Sequence, residues 1–162
     1  MIWDSGRKVT EKAKVLAFGQ FWSQMWTFIT GCPQYLHDPV DHDCLMVKTL
    51  KSFGGIPFCM TNVPQTMMSL QCSNPAYGVT GNAFDPKRES GGSSGGEGSL
   101  LGSGGSILGI GNDIGGSLRN PAIFNGIYSL KPTHGRHLTQ ESVSINSTEG
   151  ELGENHTLEN QT

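Results

Sequence analysis

Residues 91–117 read GGSSGGEGSLLGSGGSILGIGNDIGGS, and the reading of this stretch decides the fold. Glycine and serine fill most of it, but Leu100-Leu101 and Ile107-Leu108-Gly109-Ile110 interrupt it with apolar runs. A Gly/Ser linker stays disordered because it has no apolar surface to offset its chain entropy. Here Gly/Ser turns flank a segment, Glu97 to Gly111, that is able to bury Leu100, Leu101, Ile107, Leu108 and Ile110. It runs into the turn Asn112-Asp113-Ile114-Gly115-Gly116-Ser117. Glycine at this density admits positive φ and lets another group approach the main chain closely. Successive peptide N–H groups in such a turn form an anion-binding nest. A serine beside the nest can attack a carbonyl whose developing oxyanion settles in it.

Outward from this stretch the pattern is α/β. Downstream, Ile107 to Gly111 suits a fully buried strand, and Asp113 to Arg119 a turn and helix start, with Pro121 in the first helical turn or a loop. Ile127 to Leu130 reads as another strand, closed by Lys131-Pro132-Thr133. Upstream, Cys44, Leu45, Met46, Val47 and Leu50 have helical spacing, Lys48 and Lys51 take the other face, and Gly54-Gly55 ends the run. Ile56 to Met60 reads as a short buried strand beginning at Pro57, where a missing N–H is tolerable. A helix followed by a strand is the repeating unit of an α/β sheet. Thr61-Asn62-Val63-Pro64-Gln65 then leaves the carboxyl end of that strand, the edge where open α/β sheets bind ligands. Asn74 to Ser90, broken by Asn74-Pro75, Gly81-Asn82 and Asp85-Pro86, reads as an ordered loop.

The residues quoted so far carry a resemblance. GGSSGGEG, GSGGS, the block Gly109 to Pro121 and the run ending in Leu130-Lys131-Pro132-Thr133 resemble the core of the amidase signature family. Ile56-Pro57-Phe58, Thr61 to Gln65 and Cys72-Ser73-Asn74-Pro75 are similar to its fatty-acid amide hydrolase branch. The resemblance covers about Asp43 to Arg136 and implies a fragment of a longer domain, an incomplete α/β sandwich around a mixed, mostly parallel sheet. It implies Ser117 as nucleophile and Ser93 as a bridging serine beside a non-proline cis peptide, with a lysine as terminal base. It implies an oxyanion hole from the N–H groups of Ile114, Gly115, Gly116 and Ser117, and an acyl-chain channel lined by Met67. The substrate class it implies is a small fatty-acyl amide. Laid over the family without gaps, the sequence puts Phe18 where the base lysine belongs. The competing expectation is therefore a truncated, catalytically dead amidase fragment that acts at most as a binding module.

The ends look different from this core. Lys12 and Lys14 read as solvated helix lysines, and Val15 to Ile29, with Phe18, Phe21, Trp22, Trp26 and Phe28, as an aromatic-rich helix too short to span a membrane. That helix either packs on a core or lies on a membrane surface, which makes the expected location cytoplasmic with optional membrane association. No signal peptide is legible. Residues His137 to Thr162 are rich in Ser, Thr, Glu and Asn and read as a disordered tail. The expected segments are 1–42, 43–136 and 137–162.

Composition narrows the partners. A formal charge of −3 gives no electrostatic case for nucleic acid. The cysteines Cys32, Cys44, Cys59 and Cys72 lack paired zinc-site spacing and read as reduced, mostly buried thiols. The five histidines lack ligand spacing and read as surface residues, so no metal and no organic cofactor is expected. A phosphate-loop reading of Gly104 to Gly109 fails for want of a following Gly-Lys-Ser/Thr. Asp113 and Arg119 read as a structural pair, and the oligomeric state has no signature.

Overall fold

The computed structural model describes residues 14–18, 31–35, 37, 42–133 and 155–159. In chain order its strands and α-helices are β1 Lys14–Phe18, α1 Leu45–Ser52, β2 Gly55–Met60, β3 Ser73–Asn74, β4 Gly78–Val79, α2 Gly95–Gly102, β5 Leu108–Asn112, α3 Arg119–Phe124, β6 Tyr128–Leu130 and β7 Asn155–Glu159. One sheet runs in the order β2-β1-β5-β7-β6, while β3 and β4 form a separate small hairpin. β1 pairs parallel with both β2 and β5, whereas β7 runs antiparallel to β5 and to β6. Four strands therefore point one way and β7 alone the other, which is the mixed, mostly parallel sheet of the expected α/β class.

Alternation along β5 assigns the two faces, because successive residues of a strand point to opposite sides. Ile110 packs with Cys44 and Val47 of the α1 region, ringed by Met46, Leu50 and Leu108. Its neighbours Gly109 and Gly111 lie instead against Glu97, Leu101, Ser94 and Leu118, on the side of α2 and α3. There Leu101, Leu118, Ala122 and Ile127 form a second core cluster. Fully burying a leucine contributes roughly 1.5–3 kcal/mol, so Leu101 and Leu118 are its main apolar anchors.

α2 is the element that sequence reasoning leaves unassigned. Its residues, GGEGSLLG, include four glycines, each about 1 kcal/mol worse than alanine in a helix. Tertiary contact overrides that propensity. At Gly98 a Cβ would lie 2.8 Å from Pro121 Cβ and 2.9 Å from Asn125 Nδ2, so α2 touches α3 with its bare backbone. At Gly109 a Cβ would collide with Glu97 Oε1. The Glu97 carboxyl thus lies flat on β5, accepting Ile110 N–H at 3.2 Å and Thr61 Oγ1–H at 2.7 Å. Burial raises its pKa to about 8 against the opposing effect of those two hydrogen bonds.

Four expectations are corrected. The strand read as buried at Ile56 to Met60 is β2 at the edge of the sheet, with Ile56 and Phe58 exposed. Residues 14–18, read as the start of an aromatic helix with Lys14 a helix lysine, form β1 at the interior of the sheet. A four-residue apolar run fits a buried strand as well as a helix, and β1 gains pairing from both β2 and β5. Lys12 and the remainder of that helix lie outside the described residues. Residues 155–159, read as disordered tail, form β7, whose backbone fills the gap between β5 and β6 and so satisfies both ladders. Ile107, read as core, is 62% exposed just ahead of β5.

Two measurements test this packing. Gly98→Ala should cost about 1–2 kcal/mol net, overpacking exceeding the gain in helix propensity, and should lower the urea midpoint. Glu97 binds its proton more tightly when folded, so stability should fall as pH rises from about 4.5 to about 8, by up to roughly 1.4 kcal/mol per pH unit. Glu97→Gln should flatten that slope in urea titrations across the same range.

Candidate active site

Because β1, β2 and β5 are parallel, their carboxyl ends share one edge of the sheet. β1 ends there at Phe18, whose backbone partners are Met60 on β2 and Ile110 on β5. β2 runs on into the loop that begins at Thr61, and β5 into the turn beginning at Asp113. Sheets of this class take their ligands at this edge. Ser117 closes the turn, half-buried, one residue before Leu118 caps α3.

One carboxylate shapes that turn. Asp113, 1% exposed, accepts the N–H groups of Gly116 at 2.6 Å, Leu118 at 3.3 Å and Arg119 at 3.2 Å. It also accepts Arg119 Nε at 2.8 Å and Nη2 at 2.9 Å. Burial alone would raise the Asp113 pKa, but the Arg119 side chain and the N–H donors outweigh it and hold it at about 2. The same pairing raises the pKa of the guanidinium. The structural reading of the pair therefore stands. Gly116, at φ +120°, takes a backbone conformation that L side chains rarely adopt, while Ile114 and Gly115 stand exposed at the tip. The Gly116 N–H, one of the donors assigned to the oxyanion nest from sequence, is engaged by Asp113 Oδ1 within the turn itself.

The Ser93 loop lies against this turn. The Gly92–Ser93 peptide is cis, and Ser93 is 1% exposed. Ser94 N–H donates to Ser117 O at 3.0 Å, and Gly92 N–H donates to Asn120 Oδ1 at 3.0 Å. Ser94 Oγ is buried with no hydrogen-bond partner among the described residues, and a Cβ on Gly111 would meet it. On the far side of the loop, Ser69 O lies 2.7 Å from where a Gly92 Cβ would be. That segment follows Thr66 and Met67, both at positive φ (56° and 60°). Met67 is half-buried there, while Met68 is 77% and Leu70 58% exposed. The structure thus gathers Ser93, Ser117, Ile114, Gly115, Gly116 and the Met67 loop at one end of the sheet.

Other candidates take no part in this cluster. None of the four cysteines is disulfide-bonded, and burial raises the Cys59 thiol to about 11 and the Cys72 thiol in the same direction, which quenches their reactivity. Among the described residues no three His, Cys, Asp or Glu side chains gather as a metal site requires. Sequence reasoning missed Asn120 and the Glu97–Thr61 pair. An Asn in a first helical turn reads as a capping or turn residue, and nothing local marks it as a bridge to Gly92.

Comparison with known proteins agrees with this geometry. The family model described as Amidase matches residues 24–153. The chain is 50% identical over 103 residues to fatty acid amide hydrolase 1 of Caenorhabditis elegans, covering 64% of this chain and 18% of that one. It is 53% identical over 98 residues to fatty-acid amide hydrolase 1 of Sus scrofa, covering 60% of this chain and 17% of that one. Among solved structures, a fatty acid amide hydrolase superposes with TM-score 0.79 at 30% identity, over 88% of this chain and 26% of that one. The chain therefore spans less than one fifth of the length of either curated relative.

Asp113→Ala leaves the N–H groups of Gly116, Leu118 and Arg119 without their acceptor, and should destabilise by about 3 kcal/mol or more. With its folded pKa depressed, Asp113 contributes stability that is complete above about pH 4 and lost as pH falls toward 2. Urea titrations at pH 2 to 5 should show that acid loss in the parent chain and its absence in the variant.

Proposed function

The chain belongs to the amidase signature family, and from that premise we propose that it carries an acyl-amide-cleaving site with Ser117 as nucleophile and Ser93 as proton relay. The observation that carries this reading is the hydrogen bond from Ser94 N–H to Ser117 O, which holds the two serine-bearing loops in direct contact. Ser117 Oγ attacks the amide carbonyl carbon, its proton passes through Ser93, the amine leaves protonated, and water later hydrolyses the acyl ester. With Gly116 N–H engaged by Asp113, the N–H groups of Ile114, Gly115 and Ser117 receive the oxyanion.

A fatty-acyl amide suits the apolar rim. Met67, Met68 and Leu70 sit on the segment that backs the Ser93 loop, where an alkyl chain finds apolar cover. The names of the matched relatives point to the same class of small molecule. The scheme needs no metal or organic cofactor. A cytoplasmic site of action with peripheral membrane contact belongs to the same proposal. Among the described residues no helix is long and apolar enough to cross a membrane.

Phe18 favours a second reading. It stands at the carboxyl end of β1, beside β5, where an ungapped overlay on the resembled family puts the base lysine. Phenylalanine takes no proton, and loss of a general base typically costs 10²–10⁴-fold in rate, on the order of a dead site for amides. On this reading the chain retains the acyl pocket as a binding module.

Labelling with a fluorophosphonate serine probe, located by mass spectrometry, separates the two. Under the catalytic reading Ser117→Ala abolishes labelling and Ser93→Ala slows it about 100-fold, whereas under the binding-module reading the parent is idle and Phe18→Lys is what brings amide turnover. Labelling that survives Ser117→Ala overturns the nucleophile assignment. A folded chain that takes no label is the outcome of the binding-module reading.

A further inference from the structure

We propose that Asn120 is a positioning residue that sets the Ser93 loop against the Ser117 turn; this rests on the reading of Ser117 as nucleophile. The two hydroxyls sit on separate loops, one leading into α2 and the other into α3. Among the described residues, two hydrogen bonds tie the segment Gly92–Ser94 to the Ser117 turn and the start of α3. Ser94 N–H to Ser117 O, 3.0 Å, is main chain to main chain. Gly92 N–H to Asn120 Oδ1, also 3.0 Å, depends on a side chain, as does Asn125 Nδ2–H to Ser90 O at 2.8 Å, made from the far end of α3.

Asn120 is well placed for this task. It stands in the first turn of α3, and its own N–H donates to Gly116 O at 2.7 Å, which fastens it to the turn that carries Ser117. Its Oδ1 therefore moves with the nucleophile turn while it grips the peptide ahead of Ser93. The approach is close. A Cβ on Gly91 would lie 2.6 Å from Asn120 Oδ1 and 3.1 Å from Pro121 Cα, and Gly91 takes φ +76°. Ser69 O and the Leu70 carbonyl carbon press on Gly92 from the other side, at 2.7 Å and 2.9 Å from its would-be Cβ. Gly91 and Gly92 are both buried, so loss of Asn120 Oδ1 leaves the Gly92 N–H without its acceptor at a site with little exposure.

Removing the acceptor leaves a buried donor that regains a partner only if the loop shifts, and the loop carries Ser93 with it. A misplacement of about 1 Å at reacting groups costs up to 10²-fold in rate. Asn120→Ala should therefore slow fluorophosphonate labelling of Ser117 about 10- to 100-fold, in the rate at saturating probe and not in the half-saturating concentration. Asn120→Asp keeps an acceptor at the same reach and should restore most of the rate. The Gly92 amide should exchange with solvent faster in Asn120→Ala than in the parent chain or in Asn120→Asp. Should Asn120→Ala unfold, Asn120→Leu removes the acceptor while keeping the volume. A folded Ala or Leu variant that labels at the parent rate overturns the positioning role alone. An Asp variant as slow as Ala overturns it too. No labelling of the parent chain overturns the Ser117 reading and the positioning role with it.

Discussion

A buried carboxylate at the end of β5 governs the site. Asp113 gathers three backbone N–H groups and both ends of the Arg119 fork, and so turns a Gly-Gly-Ser sequence with many accessible conformations into one geometry. That geometry sets where α3 begins, and α3 in turn carries Asn120 to the Ser93 loop and Pro121 to α2. A carboxylate so placed stays ionised because its donors outweigh the cost of burial, which ties the order of the turn to a charge. The neighbouring Arg119 is half exposed, so solvent reaches the pair from the cationic side.

The second constraint is the absence of side chains. α2 and β5 approach so closely that glycine stands at the contact points, and the closeness lets the Glu97 carboxyl lie on the strand backbone. There burial dominates and the acid keeps its proton to about pH 8, the opposite outcome to Asp113. The contrast lies in the partners: Glu97 has one hydroxyl and one N–H, whereas Asp113 has three N–H groups and a guanidinium. Two acidic residues in one glycine-rich region are thus driven in opposite directions by the number and charge of their donors.

Much of this was legible along the chain. α1, β2, β5, α3 and β6 follow from local apolar spacing and from Gly and Pro punctuation, and the structure places them within a residue or two of where the pattern does. Ser93 and Ser117 stand out because their motifs are dense and ordered. What escaped detection is non-local. β1 and β7 are short segments whose strand state depends on partners far away in sequence, β5 above all. Ile107 has the composition of a core residue and lies one position ahead of the strand, on its open side.

The sequence by itself determined the α/β class and the family, because periodicity and motif spacing are properties of neighbouring residues. Only the tertiary structure decided that a four-glycine segment is a helix, that Lys14–Phe18 and Asn155–Glu159 complete the sheet, and that Asn120 meets Gly92. Each of those outcomes turns on contacts between segments remote in the chain. Helix propensity, apolar count and polarity all argued locally for something else, and pairing and close packing outweighed them.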